Sequence, residues 1–110
     1  MAAEGILVIE DNTDNLELVD YLLTAHGHNA RLASGGVEGA RMAAEAPPAL
    51  VLLDLRMPDM DGYQVLAAIR ATAGLEHTLV VAVTASAMAA DHRRIVEAGF
   101  DGYIQKPIDP

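Results

Sequence analysis

The sequence predicts a three-layer α/β domain in which helices cover both faces of a parallel β-sheet. Continuous apolar runs recur at residues 6–9, 50–53 and 79–83, and such runs are typical of strands that are buried on both faces. Segments with apolar residues at helical spacing lie between these runs. Because parallel strands are joined by right-handed crossovers, this alternation predicts one sheet with helices on its two sides.

The segment after the first strand predicts a helix over residues 14–26, since its apolar side chains fall on one face. Asp14 followed by Glu17 resembles an amino-terminal cap, and Gly27 stands where a helix commonly ends. A weaker strand candidate follows at residues 29–32. These elements form the first β–α unit and the start of the second.

The middle of the chain continues the alternation. An Ala-rich helix is predicted over residues 36–45, and Pro47 and Pro48 end it. The apolar run at 50–53 is followed by a third helix over 62–71, whose apolar residues again recur at helical spacing. The third and fourth strands are thus separated by one helix.

The last part of the chain predicts a fourth helix and a fifth strand. Ser86 can cap a helix that runs to Ala98 and stops at Gly99, and a weaker strand follows at 102–105. Too few residues remain for the final helix of a doubly wound sheet. We interpret residues 1–110 as one domain shortened at its carboxyl end; the alternative is that another molecule covers that face.

Composition restricts the possible functions. The chain has 110 residues, of which 52% are hydrophobic, and it has no cysteine, which excludes a disulfide framework and a cysteine zinc site. The amino end lacks the basic start and apolar stretch of a secretory signal, so we expect a cytoplasmic protein without a membrane span. A formal net charge of −9 opposes direct binding to nucleic acid.

Acidic side chains directly follow two of the predicted strands. Glu10 and Asp11 come after the first strand, and Asp54 ends the third. If the strand order is 2-1-3-4-5, all three lie at the edge where open α/β sheets bind ligands. Carboxylates so close repel one another, and oxygen-only ligands favour Mg²⁺ or Mn²⁺. The first pair alone is equally compatible with an ordinary helix start.

Four motifs end predicted strands in order: Val8-Ile9-Glu10-Asp11-Asn12, then Asp54-Leu55-Arg56-Met57-Pro58-Asp59-Met60-Asp61-Gly62, then Val83-Thr84-Ala85, then Lys106-Pro107. With thirty residues from Asp54 to Thr84 and twenty-two from Thr84 to Lys106, the chain resembles the receiver domain of two-component response regulators. The resemblance spans residues 6–107. It implies a flavodoxin-like fold with strand order 2-1-3-4-5.

The resemblance also implies a phosphoacceptor site. Asp54 would accept a phosphoryl group from the phosphohistidine of a kinase. Glu10 and Asp11 would hold Mg²⁺, or alternatively Mn²⁺, together with Asp54 and the main-chain carbonyl of Arg56. The domain would therefore act in signalling rather than as an enzyme, although it would catalyse its own Mg²⁺-dependent phosphorylation and dephosphorylation.

Further roles follow from the same resemblance. The Thr84 hydroxyl would bind one phosphoryl oxygen and Lys106, the only lysine in the chain, would pair with another. A cis bond at Pro107 would turn that lysine inward. Thr84 and Tyr103 would form a switch, whereas the alternative for Tyr103 is a half-buried strand aromatic with a solvated hydroxyl.

The implied partners are a sensor histidine kinase or a histidine phosphotransfer protein, and a downstream output protein or domain; homodimer formation is left open. The chain could also be the receiver portion of a larger regulator or hybrid kinase. A small aspartyl-phosphate phosphatase is a poorer match, because Arg56 replaces the second carboxylate of an Asp-x-Asp motif. A flavin-binding domain would need a Ser/Thr-rich loop after the first strand, where Glu10 and Asp11 stand.

Overall fold

A computed structural model describes residues 5–106 of the chain. Within this range five parallel strands form one sheet in the order β2-β1-β3-β4-β5, which confirms the predicted winding. The range contains four helices. In chain order the elements are β1 Ile6–Ile9, α1 Thr13–Ala25, β2 Ala30–Ala33, α2 Gly36–Glu45, β3 Leu50–Asp54, α3 Gly62–Ala71, β4 Leu79–Thr84, α4 Ala89–Ala98 and β5 Gly102–Gln105.

One face of the sheet carries the larger part of the core. Alternate side chains of the central strands point to this face, where they are sealed by α2, α3 and α4. Six strand residues there have no exposed surface: Leu7, Ile9, Val51, Leu53, Val80 and Ala82. Burial on both faces explains why β1, β3 and β4 read as continuous apolar runs rather than as alternating patterns.

The opposite face is less completely covered. Val8, Leu52 and Val83 pack against Val19 of α1, and a cavity of about 280 Å³ lies beside them. At the β5 edge of this face Ile104 is 39% exposed. Within residues 5–106, α1 is the helix whose buried side chain joins this cluster. None of the helices in the same range has the length and apolarity needed to cross a bilayer.

Two predicted helix starts were wrong. Asn12, not Asp14, caps α1, and its side chain accepts the Asn15 N–H at 3.0 Å. At α4 the cap position belongs to Met88, and Ser86 lies before the helix, where its hydroxyl accepts the Met88 N–H at 3.1 Å. The cap of α1 therefore lies two residues earlier in the chain than predicted, and the cap position of α4 lies two residues later.

The amino end of α2 is held by a residue from another loop. Its cap position is Gly35, which offers no side chain, and Asp59 from the loop after β3 accepts the N–H groups of Gly36 and Val37 at 3.2 and 3.1 Å. These bonds hold the pKa of Asp59 below its usual range. A Cβ on Gly36 would lie 2.5 Å from the Met60 carbonyl oxygen, so this approach of helix and loop requires glycine.

Candidate functional site

The ends of β1 and β3 bring three carboxylates together. Ile9 is paired with Leu53, so Glu10, the next residue, emerges beside Asp54 at the same edge of the sheet. Carboxylate oxygens of Glu10, Asp11 and Asp54 lie within 4.8 Å of one another. Glu10 and Asp54 are each only 5% exposed, whereas Asp11 is open to solvent. The structure thus gathers the three predicted metal ligands in one place.

Lys106 reaches the same site from the end of β5, the edge strand beyond β4. Thr84 is paired with Gln105, and the Lys106 N–H donates to the Thr84 carbonyl at 2.6 Å, which carries the strand pairing one residue further. The Lys106 ammonium lies 3.0 Å from Glu10 and 3.3 Å from Asp54. Pro107, whose cis bond was predicted to orient this lysine, lies outside the described residues.

The three charged groups shift one another's pKa values. Burial and the adjacent Glu10 together raise the pKa of Asp54 to about 7, against the opposing effect of Lys106. Burial would also raise the pKa of Glu10, but its hydrogen bonds to Asp54 and Lys106 outweigh that effect and lower it. The two carboxylates likewise outweigh burial at Lys106 and raise its pKa. In the metal-free site Asp54 therefore takes up a proton as the pH falls through about 7, where Glu10 and Lys106 are both charged.

A polar cavity of about 220 Å³ opens above these residues. Thr84 is buried at its wall, and its hydroxyl oxygen accepts the Ser86 N–H at 3.1 Å. Ala85 adds only a methyl group to the lining, and the Arg56 N–H donates to Asp54 at 3.4 Å. The donor set consists of hard oxygen ligands, two of them buried and repelling, so it fits Mg²⁺ or Mn²⁺ rather than a softer ion.

Tyr103 lies on the face of β5 that α4 covers, since it is paired with Ala82 of the larger core. Its ring is stacked on that of His92 in α4, with the centroids 4.2 Å apart, and Tyr103 is 42% exposed. A ring nitrogen of His92 lies 2.7 Å from the Ser86 carbonyl oxygen, and the Ser86 N–H is bound to Thr84. His92 therefore links Tyr103 to Thr84.

Sequence reasoning assigned no role to His92. No spacing rule connects it with Tyr103, because the two residues meet only when α4 packs against the edge strand. Its one local signal is a position six residues after Ser86, at the start of a helix. That signal is too common to identify a function.

Comparison with known proteins gives one consistent result. The sequence matches the family described as "Response regulator receiver domain" over residues 6–110. It is 35% identical over 105 residues to the polar-differentiation response regulator DivK of Brucella ovis, in a match that covers 96% of this chain and 85% of that protein.

Solved structures agree with this match. The receiver domain of sensor histidine kinase PA1611 from Pseudomonas aeruginosa PAO1, with a magnesium ion coordinated in its active site cleft, is 30% identical with a TM-score of 0.87, covering 98% of this chain and 88% of the other. A chain in the co-crystal structure of the Saccharomyces cerevisiae phosphotransfer protein Ypd1 and the receiver domain of Ssk1 is 26% identical with a TM-score of 0.87, covering 97% and 81%.

Proposed function

The chain belongs to the response-regulator receiver family, and on this basis we propose that Asp54 is its phosphoacceptor and that Glu10 and Asp11 hold Mg²⁺ beside it. One observation supports this proposal above all. Carboxylate oxygens of Glu10, Asp11 and Asp54 lie within 4.8 Å of one another, and the Lys106 ammonium lies 3.3 Å from Asp54. When bound, Mg²⁺ would neutralise the carboxylates and the incoming phosphoryl oxygens. The main-chain carbonyl of Arg56 is the fourth proposed protein ligand.

The proposed reaction is an in-line phosphoryl transfer. An Asp54 carboxylate oxygen attacks phosphorus, an O–P bond forms, the N–P bond of a phosphohistidine donor breaks, and the imidazole takes up a proton. Lys106 and the Thr84 hydroxyl each bind a phosphoryl oxygen, which stabilises charge as it moves from donor to acceptor. Asp54 attacks in its ionised form, so its proton must leave first.

Self-dephosphorylation is hydrolysis of the aspartyl phosphate, with water as the nucleophile. The water oxygen attacks phosphorus and the O–P bond to Asp54 breaks, which restores the carboxylate. The water gives up a proton to solvent, and inorganic phosphate leaves. Ala85 lines the cavity beside the acceptor and supports this step, because its methyl group leaves space for water. A bulky residue at this position would slow the loss of phosphate.

We further propose that Thr84 and Tyr103 form the switch. Thr84 would move toward the phosphoryl group, and the link through Ser86 and His92 would release Tyr103 from its stacked position. A ¹³C-labelled Tyr103 ring should then change its chemical shift on phosphorylation. The change should be absent in Thr84→Ala, and an identical Tyr103 environment in both states would rule the switch out.

The proposed partners follow from the donor chemistry. The phosphoryl group would come from a cytoplasmic sensor histidine kinase or a histidine phosphotransfer protein, and the switched surface would be read by an output protein, an attached output domain or a second copy of the chain. We also propose that residues 1–110 act as one domain, whether free or within a larger regulator or hybrid kinase.

Incubation with acetyl phosphate and Mg²⁺ tests the acceptor directly. Intact-mass spectrometry should show one labile phosphoryl adduct on the wild-type chain. The adduct should be absent in Asp54→Asn and greatly reduced in Asp11→Ala and Lys106→Gln, because each loses a group that acts on the phosphoryl oxygens or the cation.

Asp59→Asn is the matched control for Asp54→Asn. It makes the same chemical change in the loop that follows β3. The Asp59 carboxylate accepts N–H groups at the start of α2 and is not one of the proposed site residues. This variant should form the adduct as the wild type does. An adduct of unchanged yield in Asp54→Asn would refute the acceptor assignment.

A further inference from the structure

The basic side chains differ in whether they form hydrogen bonds or ion pairs within the fold. The seven comprise six arginines and one lysine. Within residues 5–106, four of them donate to oxygen atoms of the fold itself: Arg31, Arg41, Arg70 and Lys106. In the same range no ion pair or side-chain hydrogen bond is formed by the other three: Arg56, Arg93 and Arg94.

Two of these three arginines line one groove. The groove lies between the loop 55–61 and α4, and it has a volume of about 580 Å³. Arg56 stands on the loop side and Arg94 on the helix side, and the apolar part of the lining includes the exposed Pro58 and the largely buried Met57. A volume in the range of about 300–1,000 Å³ is typical of sites that enclose a ligand. The groove can therefore hold a few side chains of another molecule.

The guanidinium of Arg94 lies over an aromatic ring. It lies 4.4 Å from the centre of the Tyr63 ring, and Phe100 packs edge-on against that ring with the centroids 5.7 Å apart. This cation–π contact limits the orientations of the side chain and leaves its N–H groups available for a planar anion such as a carboxylate. Such preorganisation reduces the entropy lost on binding.

The groove also contains two carboxylates, and both are occupied. Asp61 accepts the Gln64 N–H at 2.9 Å as the cap of α3, and Asp91 accepts the hydroxyl of Ser86. Each carboxylate is thus bound within its own segment. Within residues 5–106 neither forms an ion pair with Arg56 or Arg94, so the guanidinium N–H groups of both arginines stay available to a ligand.

We propose that this groove docks an acidic segment of a partner protein, whose carboxylates pair with Arg94 and Arg56 and flank an apolar side chain packed on Met57 and Pro58. Charge complementarity favours this occupant, because the N–H groups of Arg56 and Arg94 are available to carboxylates, whereas Asp61 and Asp91 already accept hydrogen bonds. Two arginines beside Asp61 and Asp91 do not form the extended basic face that a nucleic-acid backbone requires. At physiological salt the screening length is about 8 Å, so the more distant acids of the chain do not prevent local pairing.

The groove adjoins the carboxylate site through Thr84, which lines both cavities. A segment that fixes Thr84 in one position would therefore change the phosphorylation equilibrium, and phosphorylation would change the affinity for the segment by the same factor. This coupling rests on the proposed function. Docking itself does not, because the groove is present in the unphosphorylated chain.

Binding to an array of short synthetic peptides tests the surface without a phosphodonor. The peptides carry Asp and Glu at varied positions in an apolar background, and Asn and Gln analogues serve as neutral controls. The best acidic peptide should bind saturably at physiological salt. Its affinity should fall about tenfold in Arg94→Gln, which removes a charge-assisted hydrogen-bonding pair. Arg94→Lys should also bind less tightly, since a lysine lacks the planar fork.

Arg93→Gln is the matched control, because it removes the same charge from the adjacent position of α4, outside the groove lining. It should change the affinity by less than about twofold, as an exposed charge does. Equal losses in Arg93→Gln and Arg94→Gln, no saturable binding of any acidic peptide, or tighter binding of a single-stranded oligonucleotide would each overturn the proposal. Thermal melts confirm that the variants are folded. Adduct formation is measured separately, so failure of one proposal leaves the other standing.

Discussion

Asp54 is the residue at which opposing electrostatic effects meet. Burial and Glu10 act against its ionised form, while Lys106 acts for it, and the result is a pKa raised to about 7. A metal-free site therefore keeps a proton that a bound cation would displace. The same repulsion that makes this site unfavourable without a cation gives it affinity for one.

Asp54→Asn should stabilise the metal-free protein at about pH 8, by up to about 4 kcal/mol at about 1.4 kcal/mol per pKa unit. The folded-state pKa lies above the ordinary 3.8, so the folded state binds more protons between these two values. The associated stability is present at low pH and is lost as the pH rises through about 7. Asparagine carries no charge and avoids this loss.

Urea unfolding in the presence of a chelator, at about pH 5 and about pH 8, measures this effect. Glu97→Gln, a change at an exposed acid of α4, should show no comparable gain. A variant Asp54→Asn that is less stable than the wild type at the higher pH would show that Lys106 dominates over burial and Glu10.

The site residues differ in how far the sequence could predict them. Glu10, Asp54 and Thr84 stand at strand ends, and parallel strands end at a common edge, so local information was sufficient to gather them. The contact between Tyr103 and His92 depends on how α4 packs against β5, which no local pattern specifies. Short-range signals find residues that a strand positions, but not those positioned by packing.

At the scale of the element, the helix starts also show which features local sequence predicts and which depend on the folded structure. The apolar periodicity of α1 gave its extent to within one residue, yet it could not choose between Asn12 and Asp14 as the cap. Both types are favourable caps, and the choice depends on which residue has extended backbone geometry. The capping of α2 by Asp59 could not have been predicted at all, because the two are more than twenty residues apart.

Asn12→Ala should destabilise the protein by about 1 kcal/mol, since it leaves the amino end of α1 without its side-chain acceptor. Asp14→Ala should cost clearly less, because Asp14 lies inside the helix and no capping bond to its side chain is found in the described residues. Chemical denaturation of the two variants measures both. A larger loss of stability in Asp14→Ala than in Asn12→Ala would show that Asp14 is the cap, as the sequence suggested.

The packing of α2 on β1 depends on Gly39. A Cβ added there would lie 2.4 Å from the Cδ1 atom of Ile9, a core residue directly before Glu10. Gly39→Ala should therefore destabilise the fold by about 1–3 kcal/mol through overpacking, even though alanine favours a helix. Because Ile9 would shift, Mg²⁺ affinity should fall as well.

Gly102→Ala is the control for Gly39→Ala. A Cβ at Gly102 would meet no atom within 4 Å, so both stability and Mg²⁺ affinity should stay close to those of the wild type. Isothermal titration with Mg²⁺ and thermal unfolding measure the two quantities. A stable Gly39→Ala variant would mean that Ile9 has room to move aside.

At the scale of the whole molecule, the strand order was implied by the resemblance to receiver domains, and burial on two faces followed from the apolar runs. The unequal coverage of the two faces was also predictable, since it depends on the number of helices in the pattern. What the pattern could not give was the distribution of charge on the surface. The cations that line the groove beside α4 became recognisable only from the side-chain contacts of the folded chain.

The net charge of −9 raises the question of whether Mg²⁺ acts on this protein specifically or only as a counter-ion. Specific binding to the folded state stabilises it by about 1.4 kcal/mol when the free ion is tenfold above its Kd, whereas screening depends only on ionic strength. Unfolding in MgCl₂ should therefore require more denaturant than unfolding in NaCl of equal ionic strength. The difference should vanish in Asp11→Ala, which removes a proposed ligand, and persist in Asp14→Ala, which removes an equal charge one turn away. Equal stabilisation by the two salts in the wild type would mean that the three carboxylates attract cations only as part of a diffuse negative surface.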